Sequence, residues 1–291
     1  MTSEVCIFEL ADRSVSSVLK TECLVEAPNW TPDGAALIIN GHGSLFRVDL
    51  AYPQMEKINS DFAVTCNNDH GISPDGKTLV ISDSTEGGKS CIYTLPIDGG
   101  VPNRVTKDSP SYWHGWSPDG STLAYVAKRT DVFNVYTIPT GGGDETCLTS
   151  GFEHADGPDY TTDSEWIWFN GQKQGRMQLW RMRADGSDLQ QMTDDERQNW
   201  FPHPSPCGQK VLYVAYEFGV TGHPRLKEVE LRIMPTSGGK PDILLEIFGG
   251  QGTINVPCWA PDGKKFAFVR YERIEMITTR QWAEPLTAKK A

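Results

Sequence analysis

The chain has 291 residues, and 38 acidic against 27 basic side chains give it a formal net charge of −11. That balance argues against nucleic acid as a partner, because phosphate binding needs a basic surface. No apolar run is long enough to span a membrane, so no membrane partner is expected either.

The start, Met1-Thr2-Ser3-Glu4-Val5-Cys6, shows no basic segment followed by an apolar core, so no secretory signal is visible and a cytoplasmic location is expected. Seven cysteines, odd in number and without a Cys-x-x-Cys spacing, agree with a reducing compartment. Residues 4–9 and 15–20 read as two strands that precede any repeat. The first repeat then opens on the turn Trp30-Thr31-Pro32-Asp33-Gly34, which returns as Ile72-Ser73-Pro74-Asp75-Gly76 and Trp116-Ser117-Pro118-Asp119-Gly120. It degrades to Tyr160-Thr161-Thr162-Asp163-Ser164 and Pro204-Ser205-Pro206-Cys207-Gly208, and is restored as Trp259-Ala260-Pro261-Asp262-Gly263. The steps between the third turn residues are 42, 44, 44, 44 and 55 residues. A fixed period of this size with four strands per repeat is the signature of a propeller blade.

The third repeat shows the plan most clearly. Residues 112–117 form a short strand, Pro presets φ in the turn, Asp bonds back to the local backbone, and Gly follows where φ is positive. Strands at 122–127, 134–138 and 145–149 follow, the last after the connection Gly141-Gly142-Gly143. Third strands of the other repeats fall at 45–48, 92–95, 179–182 and 231–234. The last repeat has its turn at Pro261 and one further strand at 265–271, then runs out. The two N-terminal strands are expected to complete it and leave no open edge. The fold class is therefore all-β: a six-bladed propeller of four-stranded antiparallel blades over residues 1–272. A tail at 273–291 is expected to be a short helix or unstructured, with Trp282 and Leu286 free to dock.

The repeated Ser-Pro-Asp-Gly turn, with Trp before it and a strand after it, resembles the WD40-like repeat of the TolB β-propeller family over about residues 4–272. The resemblance implies the propeller fold more firmly than any function, since the repeat builds blades in proteins of unrelated roles. The family's translocation protein is periplasmic and carries an additional N-terminal domain that has no counterpart in this sequence. The repeat also resembles the cytoplasmic oligogalacturonate lyases, propellers that hold manganese with histidines and a glutamine. Their Gln followed by a His-x-His pair is absent here, and Gln198 to His203 is the nearest approach.

If each first strand runs inward to its Pro-Asp-Gly turn, one face collects the segments entering first strands and the loops joining second strands to third. All six histidines fall on it: His70, His114, His154 and His203 near first strands, His42 and His223 in second-to-third loops. His70 and His114 hold the repeat position occupied elsewhere by Pro28, Pro158, Pro202 and Pro257, and His203 sits one residue later, in register with Asp159 and Asn29. With Asp69, Asp156 and Asp159, the imidazoles of His70, His114 and His203 are candidates to ligate a divalent metal, manganese or zinc, or to act as catalytic bases. Trp113 and Trp200 are candidates to stack on a ligand, Lys128, Arg129 and Arg176 to clamp a carboxylate, and Gln251 and Asn255 to line the last blade's opening. The long interval before Pro261 places an extended loop at 217–228, a candidate lid or protein-contact element. The leading expectation is a cytoplasmic binding module for a small polar ligand, a carbohydrate, uronate or peptide, in the central funnel. The alternatives are a metal-assisted lyase or hydrolase and a protein-interaction scaffold.

Overall fold

The computed structural model describes residues 1–273, so nearly all of the expected tail, with Trp282 and Leu286, lies outside the described residues. Strands β1 (Ser3–Glu9) and β2 (Val15–Thr21) come first. The first blade is β3 (Val25–Trp30), β4 (Ala36–Gly41), β5 (Ser44–Asp49) and β6 (Met55–Lys57). The second is β7 (Cys66–Ile72), β8 (Thr78–Asp83), β9 (Cys91–Pro96) and β10 (Asn103–Arg104). The third is β11 (Ser111–Trp116), β12 (Thr122–Lys128), β13 (Phe133–Pro139) and β14 (Thr146–Cys147). The fourth is β15 (His154–Tyr160), β16 (Trp166–Lys173), β17 (Arg176–Arg183) and β18 (Gln190–Gln191). The fifth is β19 (Gln198–Pro204), β20 (Lys210–Tyr216), β21 (Lys227–Pro235) and β22 (Asp242–Gly249). The sixth joins β23 (Lys265–Tyr271) to β1 and β1 to β2, all antiparallel, so the N-terminus closes the ring as the sequence implies. Its innermost segment is short, held to β23 by the Trp259–Phe266 bridge and by bonds from Ala260 N to Lys265 O and Ala267 N to Cys258 O.

The repeated turn earns its spacing by chemistry. Ser117 Oγ donates to Asp119 Oδ1 at 2.6 Å, Ser121 N donates to the same oxygen at 3.0 Å, and Thr122 N returns a bond to Ser117 Oγ at 2.9 Å. Gly120 closes the turn at φ +73°. The degraded fourth copy keeps this set through Thr161 and Asp163, with Ser164 taking the positive φ. In the fifth, Cys207 replaces the Asp, and its Sγ lies 3.3 Å from Ser205 Oγ.

Each innermost strand of the first five blades carries a bulge at the same repeat position. In three of them the bulged residue is in the left-handed region, at Ala27, Gly157 and Phe201, each just before a proline. A bulge re-aims the side chains around it. In β11 one extra residue separates Trp113 from Gly115 relative to the partner strand. In β7 the slip is two residues, from the Cys66–Asp83 pair to the His70–Ile81 pair. That difference decides which side chain of each pair of neighbours meets the channel.

Candidate functional site

A cavity of about 280 Å³ opens at the end of the channel opposite the Pro-Asp-Gly turns. Asp156, from the bulge of β15, is its hub. His114 Nε2 from β11 lies 3.1 Å from Asp156 Oδ1, and His154 Nε2 lies 3.2 Å from Oδ2. His223 Nε2, carried by the long loop between β20 and β21, approaches Oδ2 at 3.8 Å. The backbone N of Gly157 donates to Oδ1 at 2.7 Å.

Aromatic rings hold these imidazoles in place. Phe133 stacks on His154 at 5.2 Å, and His154 meets Trp200 edge-on at 5.7 Å. Trp200 meets His223 at 4.4 Å, His223 meets Phe201 at 5.2 Å, and Phe201 stacks on His114 at 5.9 Å. Four residues of this belt, His114, His154, Trp200 and Phe201, come from bulged first strands, Phe133 opens the third strand β13, and His223 comes from the long loop, so neighbouring blades and one long loop assemble around a single carboxylate.

The far wall is polar. Asp69 from β7 is fully enclosed, and its two oxygens accept from Asn255 Nδ2 and Asn67 Nδ2, each at 2.5 Å. Asn255 Oδ1 is buried and has no hydrogen-bond partner. Tyr112, Val126 and Gln251 complete the lining.

Burial acts on His114, Asp156, Asp69 and His223, and neighbours then correct it. Desolvation alone would depress the His114 pKa, but the bond to Asp156 and the charges of Asp69 and Asp156 outweigh it and hold the imidazole above its ordinary value. Desolvation would likewise raise Asp156, yet the His114 and His154 bonds hold it well below the usual carboxylate range. Asp69 stays above that range: burial pushes it up, His114 and the Asn255 amide pull back only in part, and Asp156 repels its charge. His223 is lowered by burial, with Asp156 partly offsetting. The cavity thus contains a buried histidine–carboxylate pair, in which Asp156 favours the protonated imidazole, and a second, under-compensated carboxyl.

The sequence-derived candidates divide. His114, Asp156, Gln251 and Asn255 line the cavity. His70 does not: the two-residue slip in β7 turns Asp69 to the channel and sends His70 between blades, its Nε2 3.3 Å from Ile38 O and its Nδ1 unpartnered. Burial drives the His70 pKa down to about 4. His203 has both ring nitrogens engaged, Nδ1 with Asp159 Oδ2 at 3.0 Å and Nε2 with Ile254 O at 2.7 Å, so His203 and Asp159 form a buried strut between blades. The expected triad of His70, His114 and His203 therefore does not converge on one point. Among the described residues no group of three or more His, Cys, Asp or Glu side chains is arranged to hold a metal ion. The imidazoles that do converge point their nitrogens at a carboxylate and not at a shared vacant position. The donor set does not fit the manganese or zinc centre expected from the sequence.

Trp113 and Trp200 are buried and present no open face. Trp113 packs across Gly71 of the neighbouring blade, where an added Cβ would lie 2.0 Å from its Cη2. Arg129 is tied to Glu145 at 2.7 Å and to Pro110 O and Ser111 Oγ, and does not line the cavity. Arg176 pairs with Asp194 at 3.0 Å, and Lys128 sits over the Phe133 ring at 5.9 Å; neither lines the cavity. Sequence reasoning passed over His154, His223, Tyr112, Phe133 and Phe201 as site residues. The signal available for two of them was their place among histidines confined to one face.

Comparison with known proteins agrees with the architecture. The TolB beta propeller domain matches residues 110–228. An uncharacterized protein of Agrobacterium fabrum (strain C58) is 50% identical over 276 residues, covering 94% of this chain and 94% of that protein. A solved structure of a candidate TolB from Agrobacterium tumefaciens superposes with a TM-score of 0.92 at 49% identity, over 94% of this chain and 99% of the other. An oligogalacturonate lyase in complex with manganese superposes at TM-score 0.56 with 12% identity, over 85% of this chain and 74% of the other, a likeness of fold alone.

Proposed function

The chain belongs to the TolB β-propeller family, and from that premise we propose that it is a binding module whose central cavity takes a small polar ligand. One observation carries the reading: a buried carboxylate, Asp156, held ionised by His114 and His154 in the wall of a cavity of about 280 Å³. A buried charge pair costs desolvation that packing alone does not require, and pockets are where such convergent polar groups occur. The volume suits a ligand of monosaccharide or dipeptide size, and Tyr112, Phe133 and Phe201 offer apolar ring surface beside the polar wall. The seven free cysteines support a reducing compartment as the place of action.

Ligand-detected NMR on the full chain with monosaccharides and dipeptides, against a cavity-filling Val126→Phe variant, tests this. Saturation transfer present in the wild type and absent in the folded variant is expected. Transfer of equal size in both would place binding outside the cavity and end the proposal.

A second reading is favoured by the protonation of His114. An imidazolium paired with Asp156 at 3.1 Å and facing the cavity is a competent general acid. A His114→Gln variant that still binds a ligand but no longer cleaves it would move the protein to the hydrolase or lyase class.

A further inference from the structure

Resting on the reading of this cavity as a ligand site, we propose that the ligand carries a protonated amine, received between Asp69 and Asn255. Among the described residues, no Lys or Arg lines the cavity. Its titratable groups include the carboxyls of Asp69 and Asp156 and the imidazole of His114, and His114 is hydrogen-bonded to Asp156. Asp69 is left with amide donors only, from Asn67 and Asn255. The nearby buried Glu26 is balanced separately by Arg225, whose Nη2 lies 3.6 Å from its Oε1. Among the described residues, Asp69 therefore has no basic side chain bonded to it, and the imidazole of His114, itself engaged by Asp156, offsets it only in part.

Asn255 supplies the independent pointer. Its side chain is wholly buried, its Nδ2 is committed to Asp69, and its Oδ1 accepts from nothing. A buried carbonyl oxygen left without a donor is unfavourable by about 1–3 kcal/mol unless a ligand satisfies it. An ammonium group has three donors and no acceptor, so it can serve Asp69 and Asn255 Oδ1 together. The rings of Tyr112 and Phe201 border the same space and favour a cation over an anion. The raised pKa of Asp69 agrees, since a carboxyl short of its counter-charge is the one a ligand cation would hold ionised. A uronate would bring a third carboxylate against those of Asp69 and Asp156, so this geometry turns away the acidic sugars that the sequence left open.

Two sources present such an amine at this size, an amino sugar and an amino-acid amide or peptide terminus. The test uses matched probes on the full chain, by calorimetry and competition NMR at neutral pH. One set is glucosamine, glucose and glucuronate; the other is alaninamide and lactamide, which differ by ammonium against hydroxyl. In at least one set the ammonium member is expected to bind about tenfold more tightly than its hydroxyl twin, the worth of one charge-assisted bond. The set in which this occurs identifies the source. Asp69→Asn is expected to erase the preference, and Tyr112→Leu to reduce it should the Asp69 variant not fold. Hydroxyl twins that bind as well as or better than the amines in both sets, or glucuronate binding best, overturn the inference and leave the polar cavity standing. Absence of binding by every probe to the wild type would overturn both together.

Discussion

His70 offers the sharpest test of how burial governs this protein. Its imidazole is fully enclosed between the first two blades, with Ile38 O as its partner at 3.3 Å and a pKa lowered from 6.5 to about 4. In the unfolded chain the same group titrates near 6.5. A base whose folded pKa is depressed is neutral in the native state while the unfolded state takes up a proton. Stability then rises with pH wherever the unfolded chain binds more protons, and so it falls as pH drops from about 6.5 to about 4. At about 1.4 kcal/mol per pH unit, the full window amounts to about 3 kcal/mol. Replacing His70 by Gln keeps a donor for Ile38 O and removes the titration. Urea denaturation of wild type and His70→Gln across this range gives two stability curves, and their difference cancels the carboxylates common to both. The wild type is expected to lose about 3 kcal/mol more than the variant between neutral pH and about pH 4. A difference curve that stays flat through that window would refute the burial of a neutral imidazole at this position.

Three further outcomes are expected. Asp156→Asn removes the carboxylate that holds the His114 pKa up against burial, so that pKa, followed by NMR, drops, and stability at neutral pH falls by about 1–3 kcal/mol for the lost buried hydrogen bond; an unchanged titration would dissolve the pair. Gly71→Ala drives a methyl into the Trp113 indole and is expected to lose about 1–3 kcal/mol or more in urea denaturation, with neutrality pointing to a looser inter-blade contact than the structure shows. Deleting residues 1–21 removes β1 and β2 and bares the edge of β23, so the product is expected to elute as aggregate or lose its β circular dichroism. A monomeric, cooperatively folding deletion product would contradict the role of the N-terminal strands in closing the ring.

Architecture was legible because it rests on local chemistry. The Ser-Pro-Asp-Gly turn folds through bonds within the six consecutive residues Ser117 to Thr122, so its period announces the blades without knowledge of the rest. The N-terminal strands could be assigned to the last blade because that repeat visibly lacked partners. The site was legible only to the level of a face. His70 and His114 hold equivalent repeat positions, yet one extra residue of slip in β7 exchanges the roles of Asp69 and His70. Alignment cannot reveal that exchange, because the size of a bulge is set by how the strand meets its neighbours. His203 looked like a ligand and is a strut, because Asp159 and Ile254 O consume both nitrogens from the two flanking blades. His223 needed the course of a long loop to reach Asp156, and no periodicity describes that loop. The arginines were misplaced for a related reason. Arg129 finds Glu145 within its own blade before it can reach the channel.

The join between the first and last strands also bears on how the chain acquires its fold. Glu4 and Arg270, bonded across β1 and β23, stand 266 residues apart, so this contact cannot form until the five intervening blades have been synthesised. Bringing such distant segments together carries a loop-entropy penalty about 3 kcal/mol larger than closing a loop of about ten residues. Each inner blade is a meander of neighbouring strands and can form in turn as it is made. β1 and β2, made before every other described strand, must wait without their partner until β23 arrives. The nascent protein therefore spends most of its synthesis as an open arc with two unsatisfied strand edges, and its final step is a single long-range latch, of the kind that slows folding and exposes a chain to chaperones.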